Sequence, residues 1–145
     1  MFKHLLVPTD GSEPSLRAAK MAIELAQTCR ARIHVLHVVP PFHTVSYMAE
    51  MLAATELTYT QESIARAERY LGEVRDLAAR AGIACDSHYA LDDHPHKVIV
   101  QTAADKHCDL IVMGSHGRHG LNLLLLGSET HKVLLQSTVP VLVCH

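Results

Sequence analysis

Apolar positions along the chain come in two rhythms. Short, nearly continuous apolar runs recur at "HLLVP" (His4 to Pro8), "RIHVLHVV" (Arg32 to Val39), "DLIVMG" (Asp109 to Gly114) and "VPVLVC" (Val139 to Cys144), with a weaker run at "ACDSHYAL" (Ala84 to Leu91). Each is of strand length and bordered by turn residues, so each predicts a strand, and the continuity of the stronger runs predicts burial on both faces.

Between the runs the spacing changes to that of a helix. Ser12 is placed to cap a helix whose first turn tolerates Pro14; Leu16, Ala19, Ile23 and Ala26 share one face, and Arg17, Lys20, Glu24 and Gln27 the opposite one. From about Glu62, the residues Ile64, Ala67, Leu71, Val74 and Ala78 predict a long helix ending at Ala81-Gly82. Asp92 or Asp93 with Pro95 opens a helix carrying Val98, Ile99, Thr102 and Ala103, and a last helix is expected from Ser128 to Gln136. The segment from Pro40 to Thr60 has no clean period and reads as a loop with at most a helical beginning, a place for a ligand cover or partner surface.

Strands alternating with helices, where the strands are continuously apolar, predict an α/β fold: a parallel sheet with helices on both faces. With 145 residues, one domain spanning 1–145 is expected. The formal net charge of −2 offers no basic face for nucleic acid, so a polyanion would have to be held locally. No apolar run approaches the roughly 20 residues that span a bilayer, and "MFKHLLVPTDGS" turns polar too early for a secretory segment. Cys29, Cys85, Cys108 and Cys144 form no CxxC pair and read as small core residues in a reducing compartment. A cytoplasmic location without membrane contact is the expectation.

Chemistry concentrates in "VMGSHGRHGLNLLLLGS" (Val112 to Ser128), directly after the clearest strand. In an open parallel sheet ligands sit beyond the carboxyl ends of the strands, where Asp10, Val38 and Gly114 fall. Glycines there let the backbone approach a phosphate and take positive φ, turning amide N–H groups toward its oxygens. Gly127-Ser128 stands at a helix start, where free amides and the dipole favour an anion and the hydroxyl adds a donor. Each glycine taken alone also serves an ordinary strand end, turn or cap, and Asp10 also reads as a turn or capping carboxylate.

The chain resembles the universal stress proteins, in particular their ATP-binding branch, through "LLVPTDGS", "LHVV", "LIVMGSHGRHGLNLLLLGS" and "VPVLV". The branch motif G-2x-G-9x-G-(S/T) matches Gly114, Gly117, Gly127 and Ser128 without a gap. The resemblance implies a Rossmann-like sheet of five parallel strands in the order 3-2-1-4-5. It implies that Asp10 contacts the nucleoside, with Pro8 and Thr9 shaping that wall, and that the Val38 backbone reads the adenine. Gly114, Gly117, Gly127 and Ser128 would hold the phosphates of ATP, with the amides of Ser115, His116 and Arg118 nearby.

Turnover has less support. The Lys of a G-x-x-x-x-G-K-(S/T) loop is missing, and Arg118 is the nearest cation. The expected role is a nucleotide-dependent stress-response switch or scaffold with little or no hydrolysis; the alternative is a slow ATP hydrolase or phosphotransferase using the same pocket. His94-x-His96 and His116-x-x-His119 fall short of a transition-metal site, whereas Mg2+ carried by the nucleotide asks little of the protein. The twelve histidines read mainly as solvated imidazoles, though protonating all of them would add twelve positive charges to the formal −2. "VPVLVC", placed at an exposed edge by the implied strand order, invites a homodimer through antiparallel edge pairing.

Overall fold

The computed structural model describes residues 1–43, 49–116 and 125–145, with residues 49–54 as helical backbone. Along the chain come β1 (His4–Pro8), α1 (Glu13–Cys29), β2 (Arg32–Val39), α2 (Ala49–Arg80), β3 (Cys85–Leu91), α3 (Pro95–Asp105), β4 (Leu110–Gly114), α4 (Ser128–Gln136) and β5 (Val141–Cys144). The strands form one parallel sheet in the order β3-β2-β1-β4-β5. The expected α/β class and strand order are both present.

Successive strand side chains point to opposite faces, and two cores follow. Leu5 and Val7 of β1, Ile33 and Val35 of β2, and Leu110 and Val112 of β4 lie under α1 and α2. Leu6, Leu36, Ile111 and Met113 lie on the other face with Ile99 and Ala103 of α3 and Val133 of α4. The buried face of α1 is mostly Ala18, Ala19, Ala22 and Ala26, small enough to let the helix lie close to the sheet, while Arg17, Lys20, Glu24 and Gln27 are exposed as their spacing demands. Gly82, at φ 72, ends the α2 segment in the left-handed region, where a missing Cβ removes the strain.

Two boundaries differ from the periodic reading. The helix expected from Glu62 begins at Ala49, so the part of the supposed Pro40 to Thr60 loop from Ala49 onward is helical. At about 1.5 Å per residue, 32 residues span roughly 48 Å, whereas the eight residues of β2 span about 26 Å. The helix outruns the sheet, and six of the eight residues 55–62 are exposed, so no apolar stripe is imposed there; Leu57 is 59% exposed. That half is tied down where the Tyr59 hydroxyl donates to Pro40 O at 3.0 Å and its ring meets Phe42 at 5.3 Å. The last strand begins at Val141 rather than Val139: Val139 is held in a turn through Ser137 Oγ, and Pro140 has no N–H to pair.

The two halves of α2 therefore differ in what they contribute. Leu71→Ala, which empties a fully covered core position, is expected to lower stability by about 2–5 kcal/mol. Leu57→Ala is expected to change it by no more than about 0.5 kcal/mol. Urea denaturation of the two variants beside the parent checks both values.

Candidate functional site

The strand order reverses between β1 and β4, and a crevice of about 350 Å³ opens at their carboxyl ends, within the range of roughly 300–1,000 Å³ usual for small-molecule sites. Its floor is the strand ends: Pro8, Thr9 and Asp10 after β1, Leu36, His37 and Val38 of β2, and Met113 and Gly114 of β4, followed by His116. Its walls are the starts of three helices, through Ser15 of α1, Pro95 and Ile99 of α3, and Ser128, Glu129 and Thr130 of α4 with its cap Gly127. Among the residues singled out from sequence, Pro8, Thr9, Asp10, Val38, Gly114, His116, Gly127 and Ser128 thus meet around one space. Ser115 stands behind it, donating its N–H to Cys144 O at 2.8 Å and accepting the Gly127 N–H at 2.7 Å. Gly117 and Arg118 lie outside the described residues, as does His119.

The two described glycines of the motif work differently from the expectation. The positive-φ glycines among the described residues are Gly11 and Gly82; Gly114 is not among them, and Gly127 has φ −58. What forbids a side chain is crowding by the protein itself. A Cβ on Gly114 would lie 3.0 Å from the Pro14 carbonyl carbon, and one on Gly127 would lie 2.9 Å from Ser115 O. The missing side chains let the starts of α1 and α4 close onto the end of β4. Gly11 (φ 77) is the glycine with both reasons, since a Cβ there would also run into the Tyr70 ring.

Helix starts carry free amides and a partial positive charge. At α1 this is answered internally: Ser12 Oγ accepts the Ser15 N–H, and Asp10 Oδ1 accepts the Ser12 N–H at 3.0 Å. Asp10 is therefore a turn carboxylate that also borders the crevice. At α3, the side chain of the cap residue His94 makes no capping bond, but Glu129 reaches across from α4 to accept both the His96 N–H and its Nδ1–H at 2.9 Å. Burial raises the proton affinity of Glu129, yet the bonds from His96 and Lys132 prevail and hold its carboxyl below the ordinary range. At α4 no side chain among the described residues caps the start, and Thr130 Oγ1 donates instead to Gly114 O. In the same crevice His116 is 7% exposed; Ser115 Oγ meets its Nδ1 at 2.9 Å, but its Nε2 is buried with no partner. Such an atom costs about 1–3 kcal/mol until something bonds it.

His37, His96 and Glu129 carried no sequence signal for this place. His37 Nδ1 meets Thr9 O at 2.7 Å and its ring stands edge-on to Tyr70, contacts between residues 28 and more apart in the chain. Asp92 and Asp93 do border the opening of α3, with Asp92 Oδ1 accepting the His94 N–H. Among the described residues no group of three or more metal-ligating side chains comes together.

The other two buried histidines, His4 and His34, form a row with the half-buried His88. His34 Nε2 and His88 Nδ1 are 2.7 Å apart, and the His4 ring lies 6.3 Å from His34, its Nδ1 bonded to Lys106 O. These imidazoles are packed rather than solvated. Burial, reinforced by His88, Lys106 and His4, pushes His34 from the usual 6.5 down to about 4. Burial also lowers His88, with Lys106 assisting, and His4, with Arg32 assisting.

An open parallel sheet with a crevice at its switch point is the architecture in which α/β proteins place their ligand sites. The family model "Universal stress protein family" matches residues 1–145, and the chain belongs to that family. The universal stress protein MJ0531 of Methanocaldococcus jannaschii is 35% identical over 145 residues, covering 99% of this chain and 82% of that protein. YxiE of Bacillus subtilis strain 168 is 33% identical over 147 residues, with 99% of each covered. The solved structure of MJ0577, also from Methanocaldococcus jannaschii, superposes with a TM-score of 0.83 at 28% identity over 99% of this chain and 96% of its own. A universal stress protein in complex with cAMP gives 0.73 at 27% identity, covering 99% and 97%.

Because the folded imidazoles bind protons less readily than free ones, their contribution to stability is complete above pH 6.5 and is lost as pH falls toward 4. For His34 alone the loss between about pH 7 and about pH 5 is expected to be about 2 kcal/mol. Urea midpoints at the two pH values check this, and His34→Gln is expected to flatten the difference.

Proposed function

We propose that this protein is an ATP-binding universal stress protein of the cytoplasm, a nucleotide-dependent switch or scaffold with little or no hydrolysis. The observation that carries the reading is the start of α4. Among the described residues no side chain caps its amides, the spacing Gly114, Gly117, Gly127 and Ser128 leads to it, and it opens on the crevice that His116 also lines. Phosphates are the anions that such a helix start accepts, through its N–H groups and the Ser128 hydroxyl. The match to a relative solved with cAMP supports an adenine nucleotide as the class of ligand.

The other end of the crevice fits a nucleoside. Leu36 O accepts the Thr9 N–H on the β1 side, and Val39 O accepts the Asp92 N–H on the β3 side. In that alternation the Val38 peptide turns toward β1, which has ended at Pro8, so it is positioned to read an adenine edge. Asp10 would face the ribose, with Pro8 and Thr9 as the wall, and the His116 amide would join the phosphate seat; the Ser115 N–H is already given to Cys144 O, and Gly117 and Arg118, assigned by the motif, lie outside the described residues. Mg2+ would arrive with the phosphates, keeping several of its waters. The four cysteines are unpaired and at least partly buried, as core thiols in a reducing compartment would be.

Titration of nucleotide-free protein with ATP and Mg2+ in a calorimeter is expected to give saturable heat. Heat no larger than dilution at about 1 mM ATP, which corresponds to binding weaker than about −4 kcal/mol, would sink the reading. Gly117→Val is expected to abolish that heat while leaving the thermal midpoint in place.

We also propose a two-fold homodimer formed by the β5 edges. Among the described residues no strand pairs beyond that edge, and Leu142 of β5 and Leu134 and Leu135 of α4 are exposed. Light scattering after size exclusion is expected to return twice the 15.9 kDa chain mass, and a value of one chain mass overturns the assembly.

A further inference from the structure

Glu129 is the second residue of α4, in the turn where an acidic side chain would ordinarily settle over its own helix's amides. It does not do so. Its Oε2 takes the His96 N–H and Nδ1–H, and its Oε1 lies 3.3 Å from Lys132 Nζ, so both oxygens are held away from the helix start. His96 is 7% exposed in its side chain, which leaves the ring little freedom to release the bond. The carboxylate nevertheless borders the crevice.

We infer that His96 is a positioning residue for anion binding: by clasping Glu129 against α3, it keeps a carboxylate off the α4 start and leaves those amides to the phosphates of a nucleotide. This rests on the nucleotide reading of the crevice. With the Nδ1–H removed, only the His96 main-chain N–H still holds Oε2, and Glu129 is freer to turn to the amides at its own helix start. There it competes with the phosphates for donors and repels them by like charge. His116, which lines the same space, has a buried Nε2 without a partner.

A carboxylate that merely caps α3 makes a different prediction from one that must be kept away, and the difference shows in the charge of the ligand. Calorimetric titrations with ATP and Mg2+ and with adenosine, on the parent, His96→Ala, Glu129→Gln and the double variant, separate the two. His96→Ala is expected to weaken ATP about tenfold and leave adenosine unchanged. The double variant is expected to regain the parent's ATP affinity, and Glu129→Gln alone to bind ATP as tightly as the parent or more tightly. His96→Asn, whose amide stands near the place of Nδ1, is expected to retain parent affinity, and together with Glu129→Gln it decides the matter should His96→Ala fail to fold. The inference is overturned by unchanged ATP affinity in His96→Ala, by equal losses for ATP and adenosine, by a double variant that stays weak, or by Glu129→Gln weakening ATP, which would assign the carboxylate to the cation. All four outcomes leave the nucleotide reading standing. A parent protein that binds no ATP removes both.

Discussion

In a parallel sheet every crossover helix begins at the same edge, so amide donors without intrahelical partners accumulate along one line. The rest of this structure depends on how they are met. At α1 the answer is local, from Ser12 and Asp10, and at α3 it comes from Glu129 on another helix. At α4 the neighbouring side chains turn elsewhere: Thr130 to Gly114 O, Glu129 to His96. Among the described residues, one helix start thus remains without a capping side chain beside the crevice where the strand order reverses.

Close approach, more than backbone freedom, explains the described glycines of the motif. Gly114 and Gly127 keep negative or ordinary φ, and what a side chain would strike is the Pro14 carbonyl carbon or Ser115 O. The contacts draw the α1 and α4 starts onto the end of β4. The donor-rich edge is therefore concave rather than splayed, which is the condition for holding a small anion out of bulk water.

Strands and helices were legible wherever a sheet imposes its rhythm on what covers it. The alternation along β1, β2 and β4 and the spacing of Ala67, Leu71, Val74 and Ala78 all report burial against a neighbour. Residues 55–62 of α2 have no such neighbour and so no rhythm, and the helix there passed for a loop. The order of the strands lay beyond periodicity; it came from family resemblance. The histidines mislead in the other direction: His4, His34 and His96 look like surface residues by composition and are buried, because each meets a partner distant in the chain.

By itself, the sequence determined the alternating elements, the apolar faces of the strands and the residues that gather at their carboxyl ends. Those follow from local spacing and turn chemistry, which act between near neighbours. Only the tertiary structure decided which helix start keeps its amides, that Glu129 serves α3 instead of α4, and that Gly114 and Gly127 yield to carbonyl groups. A hydrogen bond or a steric contact is settled over about 3 Å, and the residues that meet at that distance here stand up to a hundred positions apart along the chain.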